Sequence, residues 1–226
     1  MKIPVVAFTL GLVLLFPGSG ASATEPLPDP KAVQQLLKPS RIIIHVHSSI
    51  ADTGFLKYLE TDLRERLQPA ISIESSDFGG LSRMTDTLEG TEGLQLISRD
   101  IDWSRESGRI HVFIVPNELR LPPARFNFAV SAGTPLTPFH LIAVSLARLQ
   151  STGLIVRQRD QSPRKTAERV TKLIVKNVAK VIGYSSSTQC VFGFPRSLGE
   201  LDSMPSGYCE PDLSILFEAG LAQPVH

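Results

Sequence analysis

Cysteine is nearly absent from this sequence: 226 residues contain two, Cys190 and Cys209, both close to the C-terminus. So few thiols exclude a disulfide-dense scaffold, and in an oxidising compartment an even pair favours one disulfide over two free thiols. Charge of one sign is missing as well. The 23 Lys and Arg residues nearly balance the 22 Asp and Glu residues, and the two signs are interspersed. With no basic stripe interleaved with aromatics, a nucleic-acid partner is not expected. Also lacking are a Gly-x-Ser-x-Gly elbow, a phosphate-cradling glycine loop and a dinucleotide fingerprint, which removes the common hydrolase and nucleotide-binding motifs. The apolar run from Ile3 to Phe16 is too short to span a bilayer comfortably, and no charged stop follows it, so no stable membrane insertion is expected.

That run has a different meaning. Lys2 precedes it, Pro17-Gly18-Ser19-Gly20 breaks it, and Ala21-Ser22-Ala23 puts small residues where signal peptidase requires them. Residues 1–23 therefore predict a signal peptide, cleaved near Ala23, and a secreted or periplasmic mature chain. Residues 24–40 carry four prolines and few apolar side chains, the composition of a linker. About 200 residues remain, enough for one sizeable core and too few for two independent domains. One domain over residues 41–216 and a short tail over 217–226 are expected.

Ile42 to Val46 is β-branched and nearly continuous, a buried strand; Asp52 and Thr53 are then good cap types for a helix over 54–67, where Phe55, Leu59, Leu63 and Leu67 recur every fourth residue. Ile71 to Glu74 is a short strand, and Arg109 to Val115 a clear one closed by Pro116 and Asn117. Phe126 to Val130 and Leu141 to Leu149 are further strand candidates joined by a turn at Gly133-Thr134-Pro135. The segment Pro163 to Ile182 is rich in Val and Ile, yet its polar residues do not alternate. Glu168, Lys172, Lys176 and Lys180 fall on one line four residues apart; Val170, Ile174, Val178 and Ile182 fall on another. Two such stripes predict a helix, ended by Gly183 in a left-handed turn. From there to Asp212 the chain is expected to be loop.

The order of these elements and several phrases resemble the archaemetzincins, a metzincin family of zinc peptidases, over residues 41–216. Arg125-Phe126-Asn127-Phe128-Ala129-Val130 and Leu141 to Leu149 are similar to the strand pair leading to the family's edge strand. Lys176-Asn177-Val178-Ala179-Lys180-Val181-Ile182-Gly183-Tyr184-Ser185-Ser186 stands where the family carries HExxHxxGxxH. Cys190-Val191-Phe192 resembles its Cys-Val-Met turn, and Tyr208-Cys209-Glu210-Pro211-Asp212 falls where a Cys-x-x-Cys closes the pattern. The resemblance implies an α+β, zincin-like fold: a twisted mixed sheet with the long helix packed beneath it. It also implies zinc as the family's cofactor, but the matching positions depart from the motif. The three histidine ligands become Lys176, Lys180 and Ser186, and the glutamate general base becomes Asn177. A protonated lysine is no ligand, two ammonium groups one turn apart repel a dication, and an amide cannot take a proton from water. No cofactor and no catalytic residue are therefore expected. The resemblance further implies that Cys190 and Cys209, two of the four cysteines of the family's structural zinc site, form a disulfide in its place, with Ser187 and Asp212 near the other two positions. Phe192 replaces the methionine of the turn. The chain is expected to act as a catalytically inactive, peptide- or protein-binding or regulatory module, with Leu141 to Leu149 as the candidate edge strand for an extended peptide.

Two histidines offer an alternative. His45 and His47 face one side of the first strand at a spacing that suits two metal ligands, which, with His140, is the basis for a working hydrolase with relocated ligands. A His-x-His pair equally serves as a hydrogen-bonding feature, and spacing assigns it no acidic or cysteine partner. His111 has no companion visible in sequence. The lysine stripe likewise has a plain interpretation as a solvated helix face with a Glu168–Lys172 pair.

Overall fold

From Ile42 to His47 every side chain except His45 is buried, a density that requires a strand covered on both faces. The computed structural model describes residues 38–50, 53–78, 87–122, 127–133, 137, 139–147, 149, 162–186 and 190–224. The expected signal peptide and most of the linker, with Phe126 and Ser187, lie outside them.

β1 (Arg41–His47) sits inside a five-stranded sheet. It pairs in parallel with β2 (Ala70–Ser76) on one side and β4 (Arg109–Val115) on the other, with Ile42 level with Ile71 and Ile110. β7 (Leu141–Ser145) continues the parallel run beside β4, and β6 (Ala129–Ala132) closes it antiparallel, Ala129 opposite Val144 and Ala132 opposite Leu141. The order is β2-β1-β4-β7-β6, and two short strands, β3 (Thr87–Glu89) and β5 (Glu118–Arg120), pair separately. The turn from β6 to β7 needs Gly133: its φ is +115°, and a Cβ there would run into the Phe139 carbonyl oxygen.

Side-chain alternation divides the core at the sheet. Ile42, Ile44, Val46, Ile110, Val112, Ile114, Ile142 and Val144 face the helices; Phe113, Val115, Leu141 and Ala143 face Phe78, Leu88, Ile97, Leu119 and Val130 on the other side. α1 (Thr53–Arg64) buries Phe55, Leu59 and Leu63 against α3 (Pro163–Val181), the long helix. α2 (Gly90–Ile97) lies on the opposite side of the sheet, and two short helices, α4 (Leu198–Ser203) and α5 (Asp212–Glu218), follow α3. The fold is α+β with a mixed sheet, as the sequence predicts.

Two expectations are corrected. The 141–149 strand is not an edge: β7 is paired on both sides, all five of its residues are buried, and among the described residues the margin on that side is the short β6. A continuous apolar run belongs to a strand enclosed on every side, whereas the small residues Ala129, Ser131 and Ala132 suit a sheet margin. The strand also ends at Ser145, because the Leu146 amide donates to Val115 O and Leu149 turns back onto Leu146. The stretch expected to be loop before Asp212 contains α4, capped by Ser197 Oγ on the Glu200 amide.

Candidate functional site

The ends of α3 are set by local chemistry. Ser162 Oγ accepts from the Lys165 amide and Pro163 occupies the first helical position, where its missing N–H costs nothing. At the other end Gly183 adopts φ +97°, with the Gly183 and Tyr184 amides donating to Lys180 O and Ala179 O. This left-handed turn sends the chain back across the last turn of α3 and delivers Tyr184 and Ser186 to Asp212, at the start of α5. Tyr184 donates its hydroxyl to Asp212 Oδ1 at 2.6 Å, and Ser186 donates to Asp212 Oδ2 at 2.9 Å. Burial, reinforced by the bond to Asp212, pushes the Tyr184 phenol well above its ordinary range. Tyr208 is pushed up by burial and by Asp212 too, and it donates to Val175 O at 2.7 Å.

Three of the four positions matched to the metal-binding motif, Lys176, Asn177 and Ser186, donate to protein oxygens. Lys176 Nζ donates to Gly193 O at 2.7 Å and lies 5.2 Å from the centre of the Phe194 ring. Burial, with the repulsion of Lys180, lowers the Lys176 pKa to about 8. Asn177 is buried and donates Nδ2 to Leu173 O, one turn back on its own helix, at 2.8 Å. Lys180 is exposed. Phe192 packs with its ring 5.8 Å from Tyr208 and 5.6 Å from Tyr184. Cys190 and Cys209 lie at disulfide distance, with Cα atoms 6.0 Å apart.

The lysine stripe is not a solvated face. Lys172 is 2% exposed, donates to Leu201 O and Asp202 O, and pairs with Glu168 at 3.0 Å. Next to it Arg169, 1% exposed, grips Asp202 with Nε and Nη2 at 2.7 and 2.8 Å and donates Nη1 to Leu149 O. Lys165 adds a bond to Glu168 at 2.9 Å. Burial alone would raise the Glu168 and Asp202 carboxyls, but their cationic partners hold both below the usual range. Lys172 and Arg169 are covered because α4 packs on that side of α3, while Glu168 is half-buried and Lys180 at the last turn meets solvent.

His45 and His47 do point to one side, away from α3, but they meet different partners. His45 Nε2 lies 2.9 Å from His111 Nδ1, and the two rings stack. His111 Nε2 lies 3.2 Å from Glu106 Oε2, to which Arg109 also donates at 2.8 Å. His47 Nδ1 meets Ser49 Oγ at 2.7 Å. Burial, then the neighbouring His111, lowers the His45 pKa to about 4; burial lowers His111 too, against the pull of Glu106. Burial would push Glu106 up, but Arg109 and His111 hold it below its usual value. The chain Glu106–His111–His45 was missed in sequence because its members come from a loop and two strands whose register alone brings them together. Asp212 was noticed only for its place near Cys209, with no sign that it accepts from Tyr184 and Ser186. Among the described residues no group of three or more His, Cys, Asp or Glu side chains is placed to hold a metal ion.

No protein-family model matches the chain, and no curated protein matches it by sequence. Solved structures do match. An archaemetzincin from Archaeoglobus fulgidus, crystallised with malonate, aligns over 77% of this chain and 99% of its own at 18% identity, with a TM-score of 0.55. One from Methanopyrus kandleri aligns over 80% of this chain and 96% of its own at 15% identity and the same TM-score. A zinc-dependent peptidase from Methanocorpusculum labreanum aligns over 77% and 99% at 17% identity, with a TM-score of 0.55. The chain therefore has the fold of the archaemetzincin zinc peptidases.

Proposed function

We propose that this chain is a secreted archaemetzincin-like metallopeptidase homologue that has lost catalysis and serves as a peptide- or protein-binding, regulatory module. The observation that carries this is the direction of the hydrogen bonds at the motif positions. Zinc takes lone pairs from imidazole, thiolate or carboxylate. Lys176, Asn177 and Ser186 instead each donate to a protein oxygen, and Lys180 adds an ammonium one turn from Lys176. The Asp212 carboxylate, to which Ser186 donates, accepts a hydroxyl on each oxygen. These residues do not fit a zinc ion, and the amide of Asn177 at the base position cannot take a proton from water.

What remains of a peptidase is the means of holding a peptide. β6 pairs through one edge only among the described residues, leaving backbone donors and acceptors on the other edge for an extended chain. The segment before Ala23 and the Cys190–Cys209 pair support export to an oxidising compartment.

The test is retention without cleavage. The mature protein is incubated with a peptide pool, with and without added zinc, and the pool is analysed by mass spectrometry after recovery on the immobilised protein. Peptides retained and intact are expected. Cleavage that depends on added zinc and disappears with chelator contradicts the proposal.

A further inference from the structure

We infer that Lys176 and Lys180 receive the C-terminal carboxylate of a peptide ending in an apolar residue, with the Phe194 ring as the wall against which that residue's side chain lies. This rests on the peptide-binding role proposed above and names the feature of the peptide that the site reads.

Charge compensation changes along α3. At its start and middle the buried Arg169 is matched by Asp202 and the buried Lys172 by Glu168, which the half-buried Lys165 also reaches. At the last turns the pattern stops. Among the described residues neither Lys176 nor Lys180 has a carboxylate within ion-pair distance, although Lys176 is half-buried and Lys180 lies one turn away on the same face. A lysine withdrawn from water beside a second cation, with no counter-ion, is an unfavourable arrangement that an incoming anion relieves. Lys176 commits one of its three N–H donors to Gly193 O, which fixes the ammonium in place and leaves two donors for a ligand. A carboxylate bridging Lys176 and Lys180 gains charge-assisted hydrogen bonds that a neutral amide cannot match.

The second observation is Phe194. Its ring is 74% exposed, the most exposed large hydrophobic side chain among the described residues, and it stands over the Lys176 ammonium. An apolar surface directly beside a cationic one calls for a ligand with the same juxtaposition. The last residue of a peptide has it, since its carboxylate and its side chain leave the same Cα. An aspartate or glutamate side chain reaching the lysines brings no apolar group of its own to the ring.

The test uses three labelled hexapeptide pools, randomised at the other positions and titrated against the mature protein by fluorescence anisotropy. One ends in Leu as the free acid, one ends in Leu as the amide, and one carries Asp at the fifth position before a Gly amide. The free-acid pool is expected to bind at least about tenfold tighter than either amide pool. The preference should fall several-fold in Lys180→Gln and in Phe194→Ser, both exposed positions where the fold does not depend on the side chain, and disappear in Lys176→Gln. Equal binding of the Leu acid and the Leu amide overturns this inference while leaving the peptide-binding role intact. An Asp pool that binds as tightly as the free acid overturns the choice of the chain terminus. A failure of all three pools to bind at the highest soluble concentration overturns both the inference and the role beneath it.

Discussion

Lys176 sits where burial and a neighbouring ammonium act together, and its chemistry should differ from that of the other lysines. With a pKa near 8, a substantial fraction is neutral amine at mildly alkaline pH. Brief labelling with an acylating reagent at pH 8, read by peptide mass spectrometry, should modify Lys176 faster than the exposed Lys57; equal rates would contradict the burial argument. His45 gives a stability prediction. Its pKa is about 4 in the fold and about 6.5 unfolded, so between those values the unfolded chain binds the extra proton and stability rises with pH. The contribution of neutral His45 is complete above about pH 6.5 and lost as pH falls toward 4, roughly 2–4 kcal/mol across the window. Chemical denaturation at pH 7 and pH 4.5 checks it: His45→Gln should show a smaller loss than the parent, and an identical loss would contradict it. Neither property was visible in sequence, since both depend on what other segments bring beside the residue.

At the level of elements, α3 and α4 are held together by buried ion pairs as well as by apolar packing. Asp202→Asn leaves the guanidinium of Arg169 buried without its counter-charge and should cost about 3 kcal/mol, measurable by urea unfolding. A loss within experimental error would mean that Arg169 finds another acceptor. α3 was legible because its two four-residue stripes cannot both be satisfied by a strand. Which of its faces met solvent was not legible, because the helix is covered nearly all round and its inward-pointing cations imitate a surface. The same limit applied to the sheet margin. Apolarity identified β7 as a strand, but a strand's neighbours depend on topology, so the edge passed to the less hydrophobic β6.

For the whole molecule, the order of strands and helices together with several local phrases suggested the zincin-like arrangement that the chain shares with archaemetzincins. The fold is shared at an identity below one residue in five, because a burial pattern can be met by many exchangeable apolar residues. The Cys190–Cys209 bond staples the C-terminal segment that packs against α3. With a sequence separation of 19, its reduction should cost about 3 kcal/mol and lower the melting temperature; an unchanged melting temperature in reductant would show that the bond adds nothing.

The proposed loss of catalysis requires that residues 176, 177, 180 and 186 hold no zinc. Elemental analysis of the protein purified without chelator addresses that directly. Far less than one zinc per chain is predicted, whereas about one tightly held zinc per chain, removed by chelator together with peptide cleavage, would contradict it.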